Sequence, residues 1–192
     1  MLNVKNGLRT TVALVFAVFF SLVSWAEPAA LASCAACHGS DGKSTDPAWP
    51  NLAGQHETYL EIQLKAYRSG DRKNAVMNGM AAALSDADIA ELATWYAAQP
   101  RLTAANGDQT MVEEGRNRAG YCHACHGMQG APVADEWPIL AGQNAAYIAA
   151  QLAGFKSGLR YHPLMVNVVK DLDPTAMAAL GAYYSQVPPA AE

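Results

Sequence analysis

The chain has no cysteine to spare and no run of basic residues. Its four cysteines fall into two pairs, Cys34/Cys37 and Cys122/Cys125, 88 residues apart. Without a basic stretch it offers no footprint for nucleic acid, and its net negative charge disfavours an anionic partner surface. After the first 26 residues no apolar run is long enough to span a bilayer as a helix. No stretch alternates apolar and polar residues as a half-buried strand does. A flavin-binding fingerprint and a nucleophile–base arrangement are also missing, and with them the usual sequence signs of an enzyme acting by itself.

The amino terminus is the first positive feature. Residues 1–26 have a basic start at Lys5 and Arg9, an apolar run from Val12 to Val23 and a small-residue exit at Ser24-Trp25-Ala26. This pattern predicts a secretory signal peptide, because the apolar run falls short of the roughly 20 residues of a spanning helix. An uncleaved anchor is the alternative. Removing the leader takes away two of 13 basic residues and none of the 17 acidic ones, leaving a formal charge of −6.

Each cysteine pair is followed directly by histidine: Cys34-Ala-Ala-Cys37-His38 and Cys122-His-Ala-Cys125-His126. On a helical turn the two thiols point to one side, where each can add to a vinyl group of one haem while the histidine reaches the iron. Two disulfides would be the ordinary state of four exported cysteines, but His-capped Cys-x-x-Cys pairs argue against it. A zinc ribbon needs its pairs about 15–20 residues apart, far closer than these. The expected cofactors are therefore two covalently bound haem c groups with their iron.

The second motif belongs to a longer repeat. Residue n resembles residue n + 88 from Cys34 to at least Tyr96: Trp49-Pro50 recurs as Trp137-Pro138, Leu52-Ala-Gly-Gln55 as Leu140-Ala-Gly-Gln143, Tyr59 as Tyr147, Gln63-Leu64 as Gln151-Leu152, Arg72 as Arg160 and Met77 as Met165. Each copy reads as all-helical. A Gly/Pro/Asp-rich loop follows the haem motif, then a helix over about 56–69 and 144–157 closed by Gly70 and Gly158, then a loop carrying Met. The last helix begins at Ser85-Asp-Ala-Asp88, a near capping box, and at Asp173-Pro174 with proline at the first helical position. Its apolar stripe is Ile89-Leu92-Ala93-Tyr96 and Met177-Leu180-Gly181-Tyr184. Pro100 and Asn106-Gly107-Asp108 mark a linker, giving a signal peptide over 1–26 and domains over 27–101 and 108–192.

His38 and His126 each supply one axial ligand. For the other, Met77 and Met165 are the methionines that keep the 88-residue offset; Met80 maps onto Val168 and is the alternative in the first copy. Met177 lies on a helix stripe, where methionine fills core. His162, three residues before Met165, is a competing donor whose default place is an exposed loop ahead of Pro163. His56 and His123 read as solvated. Pro50 and Pro138 each follow the axial histidine by twelve residues, so their carbonyls could accept its ring N–H, or they are simple loop prolines. Arg72 and Arg160 are either donors to haem propionates or solvated. Trp49/Trp137 and Tyr59/Tyr147 would wall the haems.

On these motifs, Cys-x-x-Cys-His-Gly, Pro-x-Leu-Ala-Gly-Gln, Tyr-x-x-x-Gln-Leu, Ser-Gly-x-Arg, Met, and Leu-Ser-Asp-x-Asp-Ile before the last helix, the chain resembles dihaem class I cytochromes c of the cytochrome c4 family. The resemblance implies an all-α fold of two tandem class I cytochrome c domains related by pseudo-two-fold symmetry, with propionates near the interface. It also implies a periplasmic, often membrane-associated carrier that moves electrons between redox partners such as a quinol-oxidising complex and a terminal oxidase, and favours the Pro50, Pro138, Met77 and Met165 roles. One departure is a missing helix before the first haem motif, where the second copy has one over about 109–120. Pro132-Val-Ala-Asp135-Glu136 with Ile139-Leu-Ala-Gly142-Gln143, and the short Glu27-Pro28 start, are similar to the dihaem subunit of flavocytochrome c sulfide dehydrogenase. That second resemblance implies an electron-accepting subunit of a dehydrogenase.

Overall fold

The computed structural model describes residues 27–189. The expected leader, 1–26, lies outside the described residues. Within them the regular structure is helical, with no strand. The first copy contributes α1 (Leu31–His38), α2 (Glu57–Ser69), α3 (Ala75–Ala81) and α4 (Asp86–Ala97). A 3-10 turn at Gln109–Met111 leads into α5 (Val112–Arg118), and the second copy continues with α6 (Gly120–His126), α7 (Ala145–Ser157), α8 (Pro163–Val169) and α9 (Pro174–Gln186). The pairs α2/α7 and α3/α8 match residue for residue at the 88-residue offset, so the repeat in sequence is a repeat in structure.

Local chemistry sets the boundaries. Gly70 and Gly158 end α2 and α7 in the left-handed conformation at φ 82° and 79°, where a side chain would be strained. At α4 the capping box is complete: Ser85 Oγ accepts from the Asp88 N–H at 3.1 Å, and Asp88 Oδ2 accepts from the Ser85 N–H at 2.9 Å. Asp173 caps α9 through the Ala176 N–H, ahead of Pro174.

The methionine segments depart from the expected loops. Both are short helices, because Asn74 caps α3 by accepting from the Met77 N–H at 3.0 Å and Pro163 occupies the first turn of α8. Pro163 thus starts a helix instead of continuing an extended loop; His162 before it is extended.

Each half has its own core. In the first, Leu31, Leu60, Leu92, Ala93 and Tyr96 pack together with Cys34 and Leu52 at the margin. In the second, Ala119, Ile148, Leu152, Phe155, Val169, Met177, Leu180 and Tyr184 pack with Cys122 and Met165 against them. Both stripes of the last helices are buried as their period requires. Helix α5 crosses α9 at Gly115, where any Cβ would run into the Ala179 carbonyl. No described helix precedes α1.

The halves meet through reciprocal contacts. The Gln55 amide bonds both backbone groups of Ile139, and the Gln143 amide bonds both backbone groups of Asn51. Because Gln143 is Gln55 plus 88 and Ile139 is Asn51 plus 88, the interface is an approximate two-fold. Gly54 and Gly142 (φ 61° and 71°) aim these glutamines, and a side chain on either would strike the linker at Arg101 or Leu102.

Candidate haem sites

Helices α1 and α6 present the two Cys-x-x-Cys-His motifs. All four cysteines are unpaired. Burial pushes the Cys34 and Cys122 thiols above their ordinary range, with Cys37 adding to the rise at Cys34. Among the described residues no group of three or more His, Cys, Asp or Glu side chains is gathered to hold a bare metal ion.

Each axial-type histidine ends its helix buried, and its Nδ1 lies 3.0 Å from a proline carbonyl, His38 to Pro50 and His126 to Pro138. A carbonyl can only accept, so Nδ1 carries the proton and Nε2 keeps its lone pair. Burial pulls both histidines below their ordinary pKa, opposed by the proline bond; Arg160 and His162 push His126 lower still. Two neutral imidazoles with a fixed tautomer and a free Nε2 are what coordination to iron requires.

Met77 is half-buried on α3, and Met165 is half-buried on α8 against the second core. Met80 is 42% exposed, and its counterpart Val168 is also 42% exposed, so this position turns outward in both copies. Met177 is core, as expected, at 5% exposure. His162 is exposed at the start of α8.

Arg72 and Arg160 are the residues whose placement sequence alone could not give. Neither simply faces solvent; each crosses to the other half. Arg72 donates to Gln63 Oε1 at 2.8 Å within its own half, and to Tyr147 Oη at 2.9 Å and the side-chain Oε1 of Gln151 across the interface. Arg160 donates to Gln151 at 3.1 Å, and across to Tyr59 Oη at 2.6 Å and Gln63 at 3.0 Å. The guanidinium groups stack on Tyr67 and Phe155, 4.4 and 4.5 Å from the ring centroids.

Among the described residues neither arginine forms an ion pair, although Arg72 is only 5% exposed. Burial raises the Tyr59 hydroxyl, yet Arg160 and Arg72 bring it below the ordinary tyrosine value. The interface thus holds an excess of positive potential, and a buried cation without a counter-charge is costly. A carboxylate-bearing group such as a haem propionate fits that need. The tyrosine hydroxyls, expected at a haem edge, serve as acceptors across the interface. Trp137 lies 6.5 Å from the His126 ring, while Trp49 is 39% exposed and passes its backbone carbonyl to Asn144.

Two histidines differ from expectation. His56 is not solvated: its Nδ1 lies 3.2 Å from the Ala134 carbonyl of the other half and 3.8 Å from Asp135. His123 buries its Nε2 without a partner. The glutamine clamp was missed as well, although its signal, a Leu-Ala-Gly-Gln repeated at the 88-residue offset, was in plain view.

Comparison with known proteins agrees with this geometry. The cytochrome c family profile matches residues 28–97. The chain is 35% identical over 172 residues to a cytochrome c4 of Pseudomonas aeruginosa, covering 82% of this chain and 85% of that protein. It is 40% identical over 163 residues to a thiosulfate dehydrogenase electron acceptor of Thiomonas intermedia, covering 78% and 75%. The crystal structure of reduced recombinant cytochrome c4 from Pseudomonas stutzeri matches with a TM-score of 0.75 at 31% identity, over 84% of this chain and 98% of that one.

Proposed function

Since the chain belongs to the cytochrome c4 family, dihaem electron-transfer proteins with two class I cytochrome c domains and covalent haem c, we propose that it works in the periplasm after losing residues 1–26. Its domains are 27–101 and 108–192. It passes electrons between redox proteins and does not transform a substrate of its own. No described helix is long and apolar enough to cross a membrane; any association with the bilayer is, in this reading, peripheral.

The haem iron, when bound, alternates between ferric and ferrous; everything else falls to the chain. Cys34/Cys37 and Cys122/Cys125 would hold each macrocycle by thioether bonds. His38 and His126, oriented by Pro50 and Pro138, would offer Nε2 to the iron, and Met77 and Met165 would each supply a weak thioether donor that favours the reduced state. Held by these protein donors, the iron would be closed to small molecules. Arg72 and Arg160 would hold propionates at the interface. The observation that carries this reading is the paired His Nδ1 to Pro carbonyl geometry, 3.0 Å in both copies.

For the partner, two classes stand: a quinol-oxidising complex feeding a terminal oxidase, or a dehydrogenase that uses this chain as acceptor. The resemblance to a protein named as a thiosulfate dehydrogenase electron acceptor favours a sulfur-oxidising dehydrogenase over the flavoprotein partner suggested by sequence. The test is stopped-flow mixing of the oxidised dihaem protein with a thiosulfate dehydrogenase and thiosulfate, and in parallel with a reduced quinol-oxidising complex. Fast reduction by the first alone supports the dehydrogenase partner; fast reduction by the second alone assigns the respiratory route. An intact mass with one haem, or none, contradicts the reading as a whole.

A further inference from the structure

Tyr96 and Tyr184 occupy the same place in the two copies, near the end of the last helix, with 3% and 1% of their surface exposed. Their hydroxyls do different things. Tyr96 Oη donates to the Gly39 carbonyl at 3.2 Å. Tyr184 Oη is fully buried and has no hydrogen-bond partner among the described residues, sulfur included. Cys122 packs against the core to which Tyr184 belongs, and the nearby sulfur adds to the burial that holds the Tyr184 hydroxyl above its ordinary range.

A buried hydroxyl without a partner costs about 1–3 kcal/mol, so a phenol kept at this depth needs an acceptor. A free thiol is a poor answer, because its own S–H competes as a donor. The first cysteine of the other motif shows this, with its sulfur 3.6 Å from the Ala30 carbonyl. A thioether has no hydrogen and can only accept. On the reading that Cys122 carries haem, the orphaned donor and the new acceptor complete each other.

We propose that the Tyr184 hydroxyl donates a hydrogen bond to the Cys122 thioether sulfur and thereby sets the second haem apart from the first. The bond draws electron density from a macrocycle substituent, which favours ferrous iron in the second domain. In the first domain Cys34 also packs against the core of Tyr96, but there the hydroxyl is committed to the Gly39 carbonyl. Two haems in near-identical folds with the same axial donor types are thus given different affinities for an electron, which gives the pair a preferred order of filling.

The test uses the full dihaem protein, exported with its own leader. Tyr184→Phe and Tyr96→Phe each remove one oxygen, and each haem's midpoint is followed by reductive titration with its own ferric methyl resonances. Tyr184→Phe is expected to lower the second haem's ratio of reduced to oxidised roughly threefold at the wild-type midpoint, the size of a weak hydrogen bond. The first haem should not move, and Tyr96→Phe should leave both unchanged. In the reduced wild type, which needs no variant to fold, the Tyr184 hydroxyl proton should exchange slowly and show contacts to the Cys122 methylene protons. A second-haem midpoint that stays put, an equal fall at the first haem in Tyr96→Phe, or a fast-exchanging hydroxyl overturns the inference while the dihaem reading stands. A mass lacking haem on Cys122 overturns both.

Discussion

Gln55 and Ile139, 84 residues apart, are joined by two hydrogen bonds: the Gln55 carbonyl oxygen accepts from the Ile139 N–H at 2.8 Å, and its amide donates to the Ile139 carbonyl at 3.0 Å. One side chain thus does the work of a backbone ladder between the halves, and Gln143 returns it to Asn51 at 2.8 Å in both directions. Gln55→Ala leaves two backbone groups of the other half without partners in a buried place. We expect a loss of about 2 kcal/mol in urea unfolding, and a similar loss for Gln143→Ala. Either variant unfolding with the wild-type midpoint would mean water replaces the clamp at no cost.

Arg72 and Arg160 should act on both haems, because each bonds groups of both halves. Replacing a buried cation by an apolar chain removes positive potential that disfavours the ferric charge. Arg72→Met is therefore expected to lower the midpoints of both haems, and Arg160→Met likewise, in a spectroelectrochemical titration. A shift confined to one haem would show that the cross-interface bonds carry no electrostatic weight.

The capping box of α4 gives a pH-dependent prediction. Ser85→Ala removes the hydroxyl that receives the Asp88 N–H and should cost about 1 kcal/mol at neutral pH. The Ser85 side chain first, and its backbone N–H second, hold the Asp88 carboxyl below the ordinary aspartate value. A depressed carboxylate contributes stability above its unfolded pKa and loses it as pH falls through the folded one. The gap between wild type and Ser85→Ala in thermal melts should thus be widest near neutrality and narrow in acid below about pH 4; a gap that grows in acid would contradict the box.

Much of this was legible from one offset. Cys34/Cys122, His38/His126 and the helix ends at Gly70/Gly158 follow from period, capping chemistry and the repeat, because each depends on neighbours within a few residues; the Pro50 and Pro138 carbonyls, twelve residues from their histidines, are left open by spacing and favoured by the family resemblance. What the repeat could not say is which half a side chain serves. Arg72, Tyr59, Gln55 and His56 all reach partners 75 to 101 residues away in the other copy. An internal duplication marks equivalent places, not which copies touch. The short helices around Met77 and Met165 were missed because a single Asn cap and a Pro at the first turn are weak signals for seven-residue elements.

The central claim, two covalent haems each held between histidine and methionine, is tested most directly by the ferric absorption spectrum toward the red edge of the visible, where a methionine sulfur bound to haem iron gives a charge-transfer band. Met77→His and Met165→His should each remove about half of that band and lower the midpoint of their own haem, and the double variant should lack it altogether. If Met77→His leaves the band whole while Met80→Ala removes half, the first-domain ligand is Met80 and the repeat has misassigned it; if the wild type has no such band, neither haem is closed by methionine and the account of this chain as a sealed electron carrier is wrong.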